Sequence, residues 1–387
     1  MPFQADIGEV LSELEAAGLL RRPPRVSGPQ GSEILIDGTP VLCLCSNNYL
    51  GLAGHPAIGS AIKESIEAEG VGAGASRLIT GTMDAHRDAE RAFAKYLGTA
   101  DAVLFSSGYA ANFGTVQALV GPGDAIFSDA LNHASLIDGC RLSRADIHVY
   151  AHRDIEHLRA LLLEHRGRAK RALVITDSLF SMDGDLAPLA EISDLARIHD
   201  AGLMVDEAHA LGVFGPEGRG CSAALGLRPD VIVGTLGKSF GVAGAFIATD
   251  DATGALIRNR ARSFVYSTAP PPMLARAAVA SLALVENADE ARASLLANAE
   301  RMRSGLRALG YDVPAGSSQI LPVLIGPNDR TMALSAKLLD RGVFVQGIRP
   351  PTVPEGTSRL RLTAMATHQP EQIERALGAF ASVRDIR

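Results

Sequence analysis

The chain has 387 residues, 47% of them apolar and 21% charged, which suits two domains with a substantial core and no staples. Glycine and proline, 39 and 20 residues, together make about 15%, below the roughly 25–30% of disordered chains. A net charge of −6 without a polybasic run excludes the phosphate attraction behind nucleic-acid binding and argues against an anionic membrane surface, while Cys43, Cys45, Cys140 and Cys221 lack the CxxC spacing of a metal or disulfide framework, so no metal is expected and a reducing cytoplasm fits.

Residues 1–22 mix acidic with apolar positions and lack an uninterrupted apolar stretch, the pattern of an amphipathic helix rather than a signal peptide. GVGAGASRLITG at 70–81 matches GxGxxG only loosely, precedes no clear βαβ unit and has no acidic residue at the right distance, so it is not a nicotinamide site. Ala102–Gly123 is uncharged and long enough to cross a bilayer. Ser106, Ser107, Asn112, Gln117 and Pro122 interrupt it, so a buried strand followed by a helix is expected. From about 100 to 250, short β-branched runs alternate with helix-length segments: AVLFS (102–106), AIFS (125–128), IHVY (147–150), ALVIT (172–176), GLMVD (202–206), VIVGT (231–235) and GAFIAT (244–249). Strands buried on both faces of a mainly parallel sheet, covered by helices, read this way. Beyond Pro270–Pro272 come an alanine-rich helical region (273–310), QILPVLI (319–325), a helix (330–341), VFVQ (343–346), RLRLT (359–363) and a last helix, a smaller α+β domain. The expected division is an N-terminal helix and strand segment (1–50), a large domain (51–272) and a small C-terminal domain (273–387).

Lys238 in TLGKSFG follows an apolar strand and sits between glycines. A lysine there is partly desolvated, which lowers an amine's pKa and makes it a Schiff-base nucleophile; alone, it reads as solvated surface. Its company changes the weighting. Asp206 stands at the carboxyl end of the run GLMVD, where open parallel sheets bind ligands, and His209 follows three positions later. A carboxylate there can hold a pyridinium nitrogen protonated, as pyridoxal phosphate (PLP) requires, or simply cap a helix. The Asp-Glu-Ala-His run also matches a helicase motif, but no GxxxxGK[ST] loop accompanies it. SSGYAAN (106–112) links a strand to a helix whose first N–H groups, near Gly108 and Tyr109, can receive a phosphate. His133 is either a structural histidine or a ring over a planar cofactor.

SNNYLGL (46–52), SSGYAAN, NHASLIDG, SLFSMDGD (178–185), VDEAHALGVFG (205–215), TLGKSFG and IRPPTVPEGTSRLRLT (348–363) together resemble the α-oxoamine synthases, PLP enzymes of fold type I, the aspartate aminotransferase-like α/β fold, with a large mainly parallel-sheet domain and a smaller α+β domain. The resemblance spans nearly the whole chain. It implies that Lys238 binds PLP covalently and acts as base, that Asp206 pairs with the pyridine nitrogen, that His133 stacks on the ring, and that His209 and Ser181 approach its phenolic oxygen. Gly108, Tyr109 and Thr235 would hold the phosphate, joined across a homodimer by Ser267 and Thr268. Arg359 would take the amino-acid carboxylate with Asn47 close by, and Arg21 and Thr352 would lie along the acyl-thioester path. Asp177 stands where relatives commonly carry glutamate, and Tyr109 where phenylalanine is frequent. The Arg-Pro-Pro stretch points to a branch that condenses L-alanine with an acyl thioester of coenzyme A or acyl carrier protein. The rivals are a glycine-using synthase of the same family, an aminotransferase or lyase of the same fold, and a PLP-binding regulatory protein.

Overall fold

A computed structural model describes residues 2–384. The chain divides into two units: one comprises residues up to Tyr49, Met182–Gly184 and those from Ala293 onward; the other comprises Leu50–Ser181 and Asp185–Arg292. Helix α1 (Pro2–Ala16) leads into strands β1 (Val26–Ser27), β2 (Glu33–Ile36) and β3 (Thr39–Cys43) of the first unit. The expected amphipathic helix is present, with Ile7, Val10, Leu11 and Leu14 exposed along one stripe.

The larger unit opens with α2 (Pro56–Glu69) and α3 (Asp84–Leu97) and holds seven strands: β4 (Asp101–Phe105), β5 (Ala125–Asp129), β6 (Asp146–Tyr150), β7 (Ala172–Asp177), β8 (Gly202–Asp206), β9 (Val231–Thr235) and β10 (Ala245–Thr249). Between them lie α4 (Gly108–Leu119) and α5 (Ala134–Ser143). The sheet order is β4-β10-β9-β8-β7-β5-β6, parallel except for β10, which runs antiparallel to both neighbours. Each apolar run forms its strand because it is covered twice. Val103, Ile126, Ile175, Met204, Val233 and Ile247 pack with Ala111, Val116, Leu136 and Cys140 of α4 and α5, while Phe246 on the other face stacks on Phe93 of α3 at 4.2 Å between ring centroids. β6 is the exception to two-sided burial. It is an edge strand, with Val149 exposed.

The alanine-rich helical region comprises two helices, Pro272–Glu286 and Asp289–Ala308. The first belongs to the larger unit: Arg276 pairs with Glu69 of α2 at 2.7 Å and Asp88 of α3 at 2.6 Å. The unit boundary therefore falls after Arg292 rather than at 272/273, and residues 1–49 join the C-terminal segment instead of standing alone. In that unit β11 (Ile320–Gly326), β12 (Val343–Phe344), β13 (Gln346–Ile348) and β14 (Ser358–Thr363) follow in order. VFVQ does not form one strand: β12 pairs parallel with β3, whereas β13 pairs antiparallel with β14, so the run changes sheet at Val345. No helix among the described residues is long and apolar enough to cross a membrane.

Candidate active site

The carboxyl ends of β5, β7, β8 and β9 surround a cavity of about 180 Å³. Gly108, Tyr109, His133, Asp206, His209, Thr235 and Lys238 all line it, together with Asn112, Ser135, Asp177 and Ala208. The buried strands deliver these side chains because each run ends where the sheet stops and a loop begins.

Asp206 ends β8 directly opposite Asp177 of β7. Two buried carboxylates thus lie side by side, and burial first, then the charge of Asp206, pushes Asp177 well above the usual carboxylate range. Asp206 Oδ1 accepts from Ala208 N at 2.9 Å, a turn contact and not a helix cap because no helix follows, while Oδ2 accepts from Asn112 Nδ2 at 2.6 Å. Asp177 accepts from the backbone N–H of His133 at 2.8 Å, and its own N–H donates to Asn132 Oδ1 at 2.9 Å. Burial lowers the His133 pKa, with the charge of Asp206 opposing and that of Lys238 assisting. Glu207, fully buried, accepts from Ser178 Oγ, Cys221 N, Ser222 N and Ser222 Oγ at 2.6–3.0 Å. Those four bonds anchor the loop that begins at Asp206.

The donor set fits PLP. At the start of α4 the Ser107 hydroxyl and carbonyl take the N–H groups of Ala110 and Ala111, leaving those of Gly108 and Tyr109 without a partner among the described residues, as an anion at a helix N-terminus requires. Thr235 Oγ1 lies 3.5 Å from where a Cβ on Gly108 would stand. Buried carboxylates for a pyridine nitrogen, a histidine ring and the lysine share the same cavity.

Other expected residues lie elsewhere. Ser181 is in the loop after β7 and does not line the cavity. Ser267 and Thr268 line a separate narrow crevice with Arg77 and Ser106, and Thr268 bridges to Ser76 of the glycine-rich loop. In the smaller unit, Arg21 Nη2 meets Thr352 Oγ1 at 3.4 Å, so that expected pair comes together. Arg359 is already committed: its Nη1 forms an ion pair with Asp183 and its Nε donates to Thr357 O at 3.1 Å. The residue that reaches Asn47 Oδ1 is Arg361, at 3.1 Å, and Tyr49 OH donates to the same oxygen at 3.1 Å. Asn112, Ser135, Glu207 and Arg361 carry weight that the sequence reading did not assign. The signals were faint: Asn112 is one helical turn beyond Gly108, and the RLR spacing puts Arg359 and Arg361 on one face of β14.

The model of the family "Aminotransferase class I and II" matches residues 39–380. The chain is 50% identical to an 8-amino-7-oxononanoate synthase of Citrifermentans bemidjiense, with 97% of each chain covered. The solved serine palmitoyltransferase of Sphingomonas wittichii superposes with a TM-score of 0.92 at 34% identity, covering 100% of this chain and 98% of that one; a further serine palmitoyltransferase structure, solved with PLP, gives 0.91 at 34% identity over the same shares. The chain belongs to the aminotransferase class I and II family and, within it, to the α-oxoamine synthases, PLP-dependent enzymes that acylate the α-carbon of an amino acid.

Proposed function

We propose that the chain condenses L-alanine with a pimeloyl thioester, carried by coenzyme A or acyl carrier protein, releasing carbon dioxide and the thiol to give 8-amino-7-oxononanoate for biotin synthesis. The observation that carries this reading is the cavity in which Lys238, Asp206, His133 and His209 converge, in a chain whose curated relatives bear that activity in their names. Bound there, PLP supplies an electron sink for negative charge at the amino acid's α-carbon.

The chain's own residues do the rest. The N–H groups of Gly108 and Tyr109 and the hydroxyl of Thr235 would hold the phosphate; Asp206 would keep the ring nitrogen protonated, and His133 would pack against the ring. Lys238 Nζ holds the cofactor until alanine arrives, then takes the α-proton and later returns one to the product carbon. His209 and Ser181 are assigned to the phenolic oxygen. Asn47 holds the alanine carboxylate with Arg361 rather than Arg359, because Arg361 is the guanidinium hydrogen-bonded to Asn47 and Asp183 already neutralises Arg359. Arg21 and Thr352 contact the acyl thioester. The active species is a homodimer to which Ser267 and Thr268 contribute across the two-fold axis, and the four free cysteines suit a reducing cytoplasm.

The test is purified holoenzyme with pimeloyl-CoA and either alanine or glycine, following free thiol. Thiol release with alanine at least tenfold faster than with glycine is expected. Preference for glycine moves the chain to the other branch, and an oxo acid formed without thiol makes it an aminotransferase.

A further inference from the structure

Asn112 is 2% exposed, and both protons of its side-chain amide are used: Nδ2 donates to Asp206 Oδ2 at 2.6 Å and to Ser135 Oγ at 2.9 Å. The amide can face only this way, since its oxygen in that position would oppose a carboxylate. Ser135 Oγ, having accepted from Asn112, has its own proton left to give, and its neighbour is His133 Nδ1 at 2.7 Å. The backbone N–H of Ser135 points at the same nitrogen from 3.3 Å. With two donors aimed at it, Nδ1 is an acceptor, and the ring proton resides on Nε2.

We infer that Asn112 is a positioning residue that ties Asp206 to His133 through Ser135 and fixes His133 as the neutral tautomer with its proton on Nε2. The inference rests on the proposed roles of Asp206 and His133. The titratable groups lining the cavity with His133 are Tyr109, Asp177, Asp206, His209 and Lys238; burial, the largest influence on His133, favours the neutral ring. The His133 ring thus offers the cavity one donor, Nε2–H, and no charge. One amide touches Asp206 directly and reaches His133 through Ser135, so the two cannot be tuned independently.

The experiment uses holoenzyme labelled with 15N-histidine, with His133→Gln identifying the His133 resonances. Wild type should show an unprotonated Nδ1 and a protonated Nε2 across neutral pH. Ser135→Ala removes the shorter donor and leaves only the backbone N–H at 3.3 Å, so it and Asn112→Leu should both raise the share of His133 protonated on Nδ1, and kcat with alanine should fall roughly ten- to a hundredfold, as for other outer supports of reacting groups. Only Asn112→Leu should also displace the pH at which the cofactor's visible absorbance changes, because only Asn112 touches Asp206. A proton on Nδ1 in wild type, or an unchanged His133 pattern in Ser135→Ala, overturns the relay; an unmoved absorbance titration in Asn112→Leu overturns its branch to Asp206. Should Asn112→Leu not fold, Ser135→Ala decides the relay to His133, and the smaller change Asn112→Ser, read by the same absorbance titration, decides the branch to Asp206. Borohydride reduction of wild type separates the two layers: failure to fix cofactor on Lys238 sinks the site assignment, whereas successful trapping with variants indistinguishable from wild type sinks only the relay.

Discussion

Turns rather than a helix follow Asp206 at 208–213, which removes the reading of this carboxylate as a helix cap and leaves that of a partner for a pyridine nitrogen. Oδ1 accepts from Ala208 N in that turn and Oδ2 from Asn112 Nδ2 at the cavity wall. Asp206→Asn retains an oxygen for the Ala208 N–H, so the variant should fold and bind PLP, yet turn over several orders of magnitude more slowly because a neutral amide no longer holds the ring nitrogen protonated. Steady-state thiol release measures this, and near-normal turnover would leave Asp206 only its part in the turn. Lys238→Ala should abolish turnover with little change in melting temperature, since it removes both the covalent link and the base but little apolar area; amino ketone formed at a comparable rate would overturn the role. These two residues were legible because a charged side chain at the end of an apolar strand stands out from its surroundings. Asn112 was not, because its meaning depends on Asp206, 94 positions away. Arg361 escaped for a related reason: alternation along β14 places both arginines on one face, and only the tertiary fold decides that Asp183 takes one and Asn47 the other.

At the scale of elements, the strands of the large sheet were legible as runs because parallel strands covered on both faces need apolar residues at every position. Pairing is non-local, and there the sequence was silent: nothing in VFVQ says that two of its residues join β3 and the next stretch joins β14. The loop from β7 to the following helix likewise owes its anchorage to a distant element. His152, just beyond β6, donates from Nδ1 to Asp129 and from Nε2 to Asp185, each at 2.9 Å, and Arg153 reaches the same Asp185 oxygen at 3.0 Å. Burial opposes the His152 charge, but the hydrogen bonds to Asp129 and Asp185 outweigh it and raise its pKa to about 9. The folded value lies above the unfolded value of about 6.5. The stabilisation is therefore complete below about pH 6.5 and is lost as pH rises through about 9, amounting to at most on the order of 3 kcal/mol. Urea unfolding at pH 7 and pH 10 should show wild type losing stability by up to that amount more than His152→Asn loses. Parallel losses in the two proteins would mean that the imidazole is neutral between its carboxylates.

At the scale of the whole molecule, the outstanding question is whether one chain makes a complete site. The YSTAPP segment puts Ser267 and Thr268 in a crevice with Arg77 and Ser106, outside the cavity that holds Lys238. Beside it in sequence Tyr266 is 73% exposed, and Leu78 and Ile79 of the glycine-rich loop bridged to Thr268 are also exposed, an apolar surface of the kind that marks an interface. In a two-fold dimer each such segment serves the neighbouring chain reciprocally. The alternative is that the two hydroxyl residues only begin the proline turn before helix Pro272–Glu286, a common use of them. Subunit mixing decides between the two. Lys238→Ala lacks the base in its own cavity but keeps its hydroxyls; the double variant Ser267→Ala and Thr268→Ala keeps the base but lacks the hydroxyls. If the hydroxyls act in trans, each heterodimer regains one intact site, combining the lysine of one chain with the Ser267 and Thr268 of the other, so a statistical one-to-one mixture, half heterodimer, should recover about a quarter of wild-type activity. If they act in cis, no combination of the two chains contains an intact site, and activity stays at the level of the parents even when exchange is demonstrated with differently tagged subunits.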